Sequence, residues 1–272
     1  VARIVGLADA VAELVVDGCS VAMEGFTHLV PFAAAHEVIR QRRRDLTLIR
    51  MNPDVIYDQL IGAGCAGRLI YSWTGDPSTG LLPRIRDALR TGWPRPLQAE
   101  EHSHAGMANR YLAGATGVPF GVLRGALPGP SETVKAIQCP FTGERLLAVP
   151  AIRPDVAIVH AQRADRQGNV QVWGITGAQR EAVHAAHHSL VTVEEIVDEL
   201  EPVPGSTVLP GWLITMVAEV PGGSLPAQTE GYRRRDTGFY REWPAISADR
   251  ERFIDWLGMI VTQPPAMERK VS

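Results

Sequence analysis

Apolar residues along roughly the first two-thirds of the chain fall by turns into helical stripes and short continuous runs. Leu7, Val11, Leu14 and Val15 recur at helical spacing ahead of Gly18, a residue suited to ending a helix in the left-handed conformation. Ser20 to Met23 then reads as a short buried strand. Pro31 suits the first turn of a second helix, with Phe32, Ala35, Val38 and Ile39 turned inward. Leu46 to Ile49 predicts a strand, Asn52-Pro53 opens a helix that ends at Gly64, Leu69 to Tyr71 gives a further strand, and residues 80–91 a further helix. Val156 to Val159 and Leu190 to Val193 are uninterrupted apolar runs, the pattern of strands buried on both faces of a parallel sheet. Phe253, Trp256, Leu257 and Ile260 mark one more helical face behind Ser247, and a polar tail follows from Thr262. Helix and strand in alternation predict an α/β fold: an open, mostly parallel sheet flanked by helices.

Composition narrows this picture. The 272 residues, 45% hydrophobic and 21% charged, suffice for a large core without disulfides or metals. A single domain over 1–272 is expected, with the Gly- and Pro-rich stretch Gly125 to Pro130 lying in a long surface loop around 125–140. A formal net charge of −3 argues against a nucleic-acid partner, which calls for a basic surplus. Only two of the 27 Lys and Arg residues are lysine, Lys135 and Lys270. No apolar run reaches the roughly 18 residues of a membrane span, so no membrane association is expected. No signal-peptide pattern opens the sequence, and the three separated cysteines, Cys19, Cys65 and Cys139, suit reduced thiols. The expected compartment is the cytoplasm.

The stretch from Asp17 to Thr27 is the most informative for chemistry. A buried strand runs into Glu24-Gly25-Phe26-Thr27 and then a helix start, which places this turn at the carboxyl end of a sheet strand, where open α/β folds bind ligands. Gly25 allows backbone N–H groups to approach a ligand and to stabilise a developing oxyanion. One glycine after a strand is more often just a turn. Glu24 has three readings: a strand-end carboxylate bonded to the loop or a partner, an acid/base or substrate-orienting group, or a covalent nucleophile.

Other polar clusters are weaker. Glu100, Glu101, His102, Ser103 and His104 precede a helix carrying Met107, Tyr111 and Leu112 and read as a helix start with exposed imidazoles. Ser72 to Ser78 is a loop after an apolar strand, readable as a plain turn. His184 and His188, at i and i+4 on an expected helix, have metal-pair spacing but no third ligand, and no metal site is assigned. Asp165 to Asn169 suits a turn between two strands, with Gly168 at positive φ.

Several ordered blocks resemble the class I coenzyme A transferases. Val21-Ala-Met23, Gly25-Phe26 and Pro31 match the family's glycine-rich signature. Asp155 to Gln162, Asp165 to Asn169 and Trp173-Gly174 resemble the next block, and Val191 to Glu195, Pro210-Gly211 and Val220 to Pro226 follow in order. The likeness spans about residues 6–257 and is strongest to alpha subunits of the glutaconate CoA-transferase type. Glu24 stands where the signature has its first glycine, and Val30 replaces another.

The resemblance implies a heteromeric CoA-transferase that moves CoA between an acyl-CoA and a carboxylic acid through a glutamyl thioester. In two-chain members the glutamate lies in a Ser-Glu-Asn-Gly-like motif of the beta subunit, and this chain has no Glu-Asn-Gly. A homologous beta subunit is therefore the implied partner, in a hetero-oligomer such as α2β2. CoA enters as a substrate, with no resident cofactor. Gly25 and Phe26 become the candidate oxyanion loop, with Glu24 beside them, and Thr27, Ser78, Glu100 and Ser103 the candidate substrate contacts. The arginine runs Arg42 to Arg44 and Arg233 to Arg235 suit CoA phosphates or plain solvation. Within the family some pairs hydrolyse or decarboxylate an acyl-CoA instead, and related folds without the glutamate serve as ligand-sensing domains. No helix-turn-helix favours the latter, and no Gly-x-Gly-x-x-Gly supports a dinucleotide fold.

Overall fold

The computed structural model describes residues 2–75, 80, 82–125 and 133–262. Thirteen strands are assigned among them: β1 (Arg3–Ile4), β2 (Ser20–Met23), β3 (Leu46–Ile49), β4 (Ala66–Tyr71), β5 (Gln98–Glu101), β6 (Phe120–Leu123), β7 (Lys135–Gln138), β8 (Arg145–Pro150), β9 (Val156–Asp165), β10 (Val170–Val172), β11 (His188–Val197), β12 (Thr207–Leu209) and β13 (Met216–Glu219). The helices are α1 (Leu7–Leu14), α2 (Phe32–Arg40), α3 (Val55–Gly62), α4 (Pro83–Thr91), α5 (His104–Thr116), α6 (Gln179–Ala185), α7 (Thr237–Ala248) and α8 (Arg250–Thr262).

The main sheet runs in the order β1-β13-β11-β9-β2-β3-β4-β5, with every neighbouring pair parallel, as the sequence predicts. β9 continues past β2, still paired with β11, into an antiparallel hairpin with β10, which carries β12 in turn. Side chains alternate across the sheet and feed two cores. Val21 and Met23 of β2, Leu46 and Leu48 of β3, and Leu69 of β4 face a core built with α1 to α4, α7 and α8. Ala22, Ile49 and Ile70 face the other, built with Met107 and Tyr111 of α5 and Ala182 and Val183 of α6. That two-residue period, apolar on both faces, is what a central parallel strand requires.

Asp58, fully buried in α3, joins three helices of the first core. It accepts hydrogen bonds from the Arg84 and Ile85 N–H groups at the start of α4, at 2.8 and 2.9 Å, and from the Trp243 indole of α7 at 3.0 Å. Trp243 in turn packs edge-on against Trp256 of α8, with ring centroids 4.9 Å apart.

Three sequence expectations change. Within the stretch expected as a loop at 125–140, Lys135–Gln138 is a strand, paired antiparallel with β8 in a separate sheet of order β6-β8-β7; residues 126–132 lie outside the described residues. The strand is short and mostly exposed, so it carries no apolar run. His184 and His188 share no helix face, because α6 ends at Ala185 and His188 begins β11. His102, expected to be exposed, is buried. Among the described residues no helix is long and apolar enough to cross a membrane.

Candidate active site at the end of strand β2

β2 delivers Glu24, Gly25, Phe26 and Thr27 to the carboxyl edge of the sheet. Glu24 is buried, and its Oε1 accepts hydrogen bonds from the Tyr111 hydroxyl of α5 at 2.7 Å and from the Met51 N–H at 3.0 Å. Burial pushes its carboxyl above the usual range, against the pull of the Arg50 charge and these two donors. No donor among the described residues meets Oε2.

Gly25 has φ of +152°, and a Cβ there would lie 2.6 Å from the Leu29 carbonyl oxygen, so the turn closes only over a glycine. Its carbonyl oxygen accepts a hydrogen bond of 2.5 Å from Arg50 Nη2. Arg50 is itself buried and held by both oxygens of Asp54, at 3.1 and 2.9 Å, while Asp54 caps α3 through the Ile56 N–H. Tyr57, under the Arg50 guanidinium, donates to the Ile49 carbonyl at 2.7 Å and accepts from the Met23 N–H at 3.1 Å. The ends of β2 and β3 are thereby cross-linked beneath the turn.

The N–H groups of Gly25 and Phe26 meet no acceptor among the described residues. The charge on Arg50 polarises the Gly25–Phe26 peptide from its carbonyl side, which makes the Phe26 N–H a stronger donor. Two consecutive backbone donors at a strand end can hold an oxyanion. Beside them lies a small pocket lined by Phe26, Thr27, Arg50, Asn52 and Trp73. Phe26, Trp73 and, across the turn, Ile175 remain exposed.

Of the candidates read from sequence, Glu24, Gly25, Phe26 and Thr27 come together here. Glu100 and Ser103 are committed elsewhere. Glu100 pairs with Arg68, with Arg110 at 2.7 Å and with His102 at 2.7 Å; hydrogen bonding from His102, with the two arginines, draws its carboxyl down to about 2 despite partial burial. Ser103 is the N-cap of α5, its Oγ accepting from the Gly106 N–H at 3.0 Å. Ser78 lies outside the described residues. Among the described residues no three His, Cys, Asp or Glu gather as a metal site would require.

Sequence reasoning missed Arg50, Asp54 and His28, and read Tyr111 only as a helical core position. A charged i, i+4 pair directly after a buried strand was the available signal for Arg50 and Asp54. For His28 there was none, because its partners lie 147 and 202 residues away.

The coenzyme A transferase family model matches residues 5–219. One subunit of the 3-oxoadipate CoA-transferase of Pseudomonas knackmussii is 54% identical over 260 residues, covering 94% of this chain and 92% of its own length. The corresponding subunit of the glutaconate CoA-transferase of Acidaminococcus fermentans is 31% identical over 275 residues, 92% of this chain and 85% of that one. The crystal structure of that glutaconate enzyme superposes with a TM-score of 0.90, at 28% identity, over 98% of this chain and 91% of the other. The AibA/AibB decarboxylase superposes at 0.83, with 29% identity, over 96% and 99%.

Proposed function

The chain belongs to the coenzyme A transferase family, and from that premise we propose that it is the alpha subunit of a two-chain transferase that moves CoA from an acyl-CoA to a short oxo-dicarboxylic acid of the 3-oxoadipate kind. The reading of the acid rests on the 54% identity, along nearly the whole chain, to one subunit of a 3-oxoadipate enzyme. The observation that carries the chemistry is the pair of N–H groups at Gly25 and Phe26, which meet no acceptor among the described residues and are braced by buried Arg50.

A glutamate carboxylate on the partner chain attacks the thioester carbonyl, and the pair of electrons moves onto the carbonyl oxygen, where Gly25 and Phe26 receive it. Collapse expels the CoA thiolate and leaves an acyl–glutamyl anhydride. The thiolate then attacks the glutamyl carbonyl, releasing the first acid and leaving the glutamyl–CoA thioester. The second acid repeats these steps in reverse and departs as its CoA ester, so no bond is lost to water. CoA is a substrate here, and the scheme calls for no resident cofactor or metal.

The experiment is borohydride reduction of the purified two-chain complex after incubation with acyl-CoA, which converts a glutamyl thioester to an alcohol. The expected mass loss falls on the partner chain, and this chain alone traps nothing. A stoichiometric reduced glutamate on this chain, at Glu24 or elsewhere, overturns the division of labour.

A further inference from the structure

The turn after β2 is held in a conformation that its residues disfavour. Thr27 and Leu29 have φ of 57° and 54°. β-Branched and bulky residues seldom enter this left-handed region, and they stay there only where the surroundings over-determine them.

His28 lies between the two and is buried. Its Nδ1 is 2.9 Å from the Ile175 carbonyl oxygen, and its Nε2 accepts the Glu230 N–H at 2.9 Å. Only the neutral imidazole with its proton on Nδ1 makes both bonds. The ring is seated against Gly174, where an added Cβ would come within 2.9 Å of its Cε1. The main chain reinforces the link, with the Leu29 N–H donating to the Gln228 carbonyl at 2.9 Å. One side chain thus joins the strained turn to two segments distant in sequence.

We propose that His28 is a positioning residue for CoA transfer: a neutral-imidazole clamp that holds the Gly25 and Phe26 N–H groups in place and releases them when the ring takes up a second proton. This rests on the oxyanion role argued above. A proton on Nε2 would face the Glu230 N–H, setting donor against donor and leaving the turn without its anchor. Glu230 and His160 are the titratable groups that act on the ring. Burial holds the ring below the usual imidazole range, opposed by the Ile175 carbonyl and the Glu230 charge and reinforced by His160. The clamp is therefore closed at neutral pH and opens only at a pH below the ordinary imidazole range.

The test uses the complex with the partner chain, comparing wild type, His28→Phe and His28→Gln. Phenylalanine keeps the volume and removes both bonds; glutamine offers an oxygen to the Glu230 N–H and does not titrate. His28→Phe is expected to lower kcat about 10–100-fold, on the scale of a misplaced oxyanion donor, with KM within about threefold. Amide exchange in a peptide spanning 24–31 should quicken in step with that loss. His28→Gln should recover much of the turnover and abolish the acid-side fall in kcat expected of wild type. Wild-type kcat and exchange in His28→Phe overturn the proposal, as does an acid limb unchanged in His28→Gln should the Phe variant not assemble. Absence of CoA transfer in the wild-type complex would instead refute the functional reading, and the exchange comparison would still decide the clamp.

Discussion

Glu24 occupies a position where the related signature has a glycine, and its surroundings explain how a carboxylate is accommodated there. Oε1 takes both hydrogen bonds, from Tyr111 and Met51, so glutamine retains them with its own Oε1. Glu24→Gln is therefore expected to unfold within about 1 kcal/mol of wild type. Its transferase turnover at neutral pH should fall by less than about tenfold, since the carboxylate anchors the turn and takes no proton in the exchange. Glu24→Ala strands two buried donors, each costing about 1–3 kcal/mol, and should lower stability by roughly 2–5 kcal/mol. Thermal or urea unfolding reads both variants, and a collapse of turnover in well-folded Glu24→Gln would assign the carboxylate to chemistry. Gly25 teaches a different lesson: with a backbone oxygen 2.6 Å from its would-be Cβ, a valine there rebuilds the turn and reports its shape more than the loss of one donor.

At the scale of elements, β5 and α5 are tied together by one carboxylate. Glu100, on the sheet's edge strand, pairs with Arg110 and His102 and with Arg68 of neighbouring β4. Its carboxyl, drawn down to about 2 first by the His102 hydrogen bond and then by the arginines, binds its proton more weakly in the folded state than in the unfolded chain. The stability this confers is complete above about pH 4.5 and is lost as pH falls from there towards 2. Glu100→Gln is expected to cost of order 3 kcal/mol at pH 7 and to flatten the acid limb of a pH–stability curve; an unchanged limb would remove Glu100 from the account. The legibility of elements in the sequence follows the same physics. β2 and β3 begin and end where their apolar runs do, because both faces of each are buried. β5, reading Gln-Ala-Glu-Glu, and the exposed β7 leave no such trace, since an edge strand holds by backbone pairing and ion pairs that composition does not display. The turn at Gly25-Phe26 was legible as a glycine after a strand. Of the Arg50 brace only the local pair with Asp54 left a trace, and the His28 clamp left none, because tertiary contact alone brings its partners together.

For the molecule as a whole, the parallel sheet collects the ends of β2, β3 and β4 and the 174–177 loop at one edge, the edge where such sheets bind ligands. Three large apolar side chains are left open there: Phe26 at 42%, Trp73 at 46% and Ile175 at 57% exposure. They adjoin one another, since Phe26 and Trp73 line the same pocket and the 174–177 loop meets the turn through Gly177, beside the Phe26 Cβ, and through His28. Apolar groups gathered around a site that lacks its nucleophile suit burial against a second chain more than exposure to water. A persistent subunit contact of this kind buries about 2,000 Å² or more, with its strength concentrated in a few central side chains. Ile175 holds His28 through its carbonyl oxygen, which Ile175→Glu keeps while setting a charge in the expected interface. The unfolding midpoint of the Ile175→Glu chain alone should match wild type within a degree or two, whereas its affinity for the partner chain should fall at least tenfold. Size-exclusion chromatography of the co-expressed pair at micromolar concentration separates the outcomes: one shared peak for wild type and two peaks for the variant place the partner over this edge. A single shared peak for both, with equal dissociation on dilution, places it elsewhere.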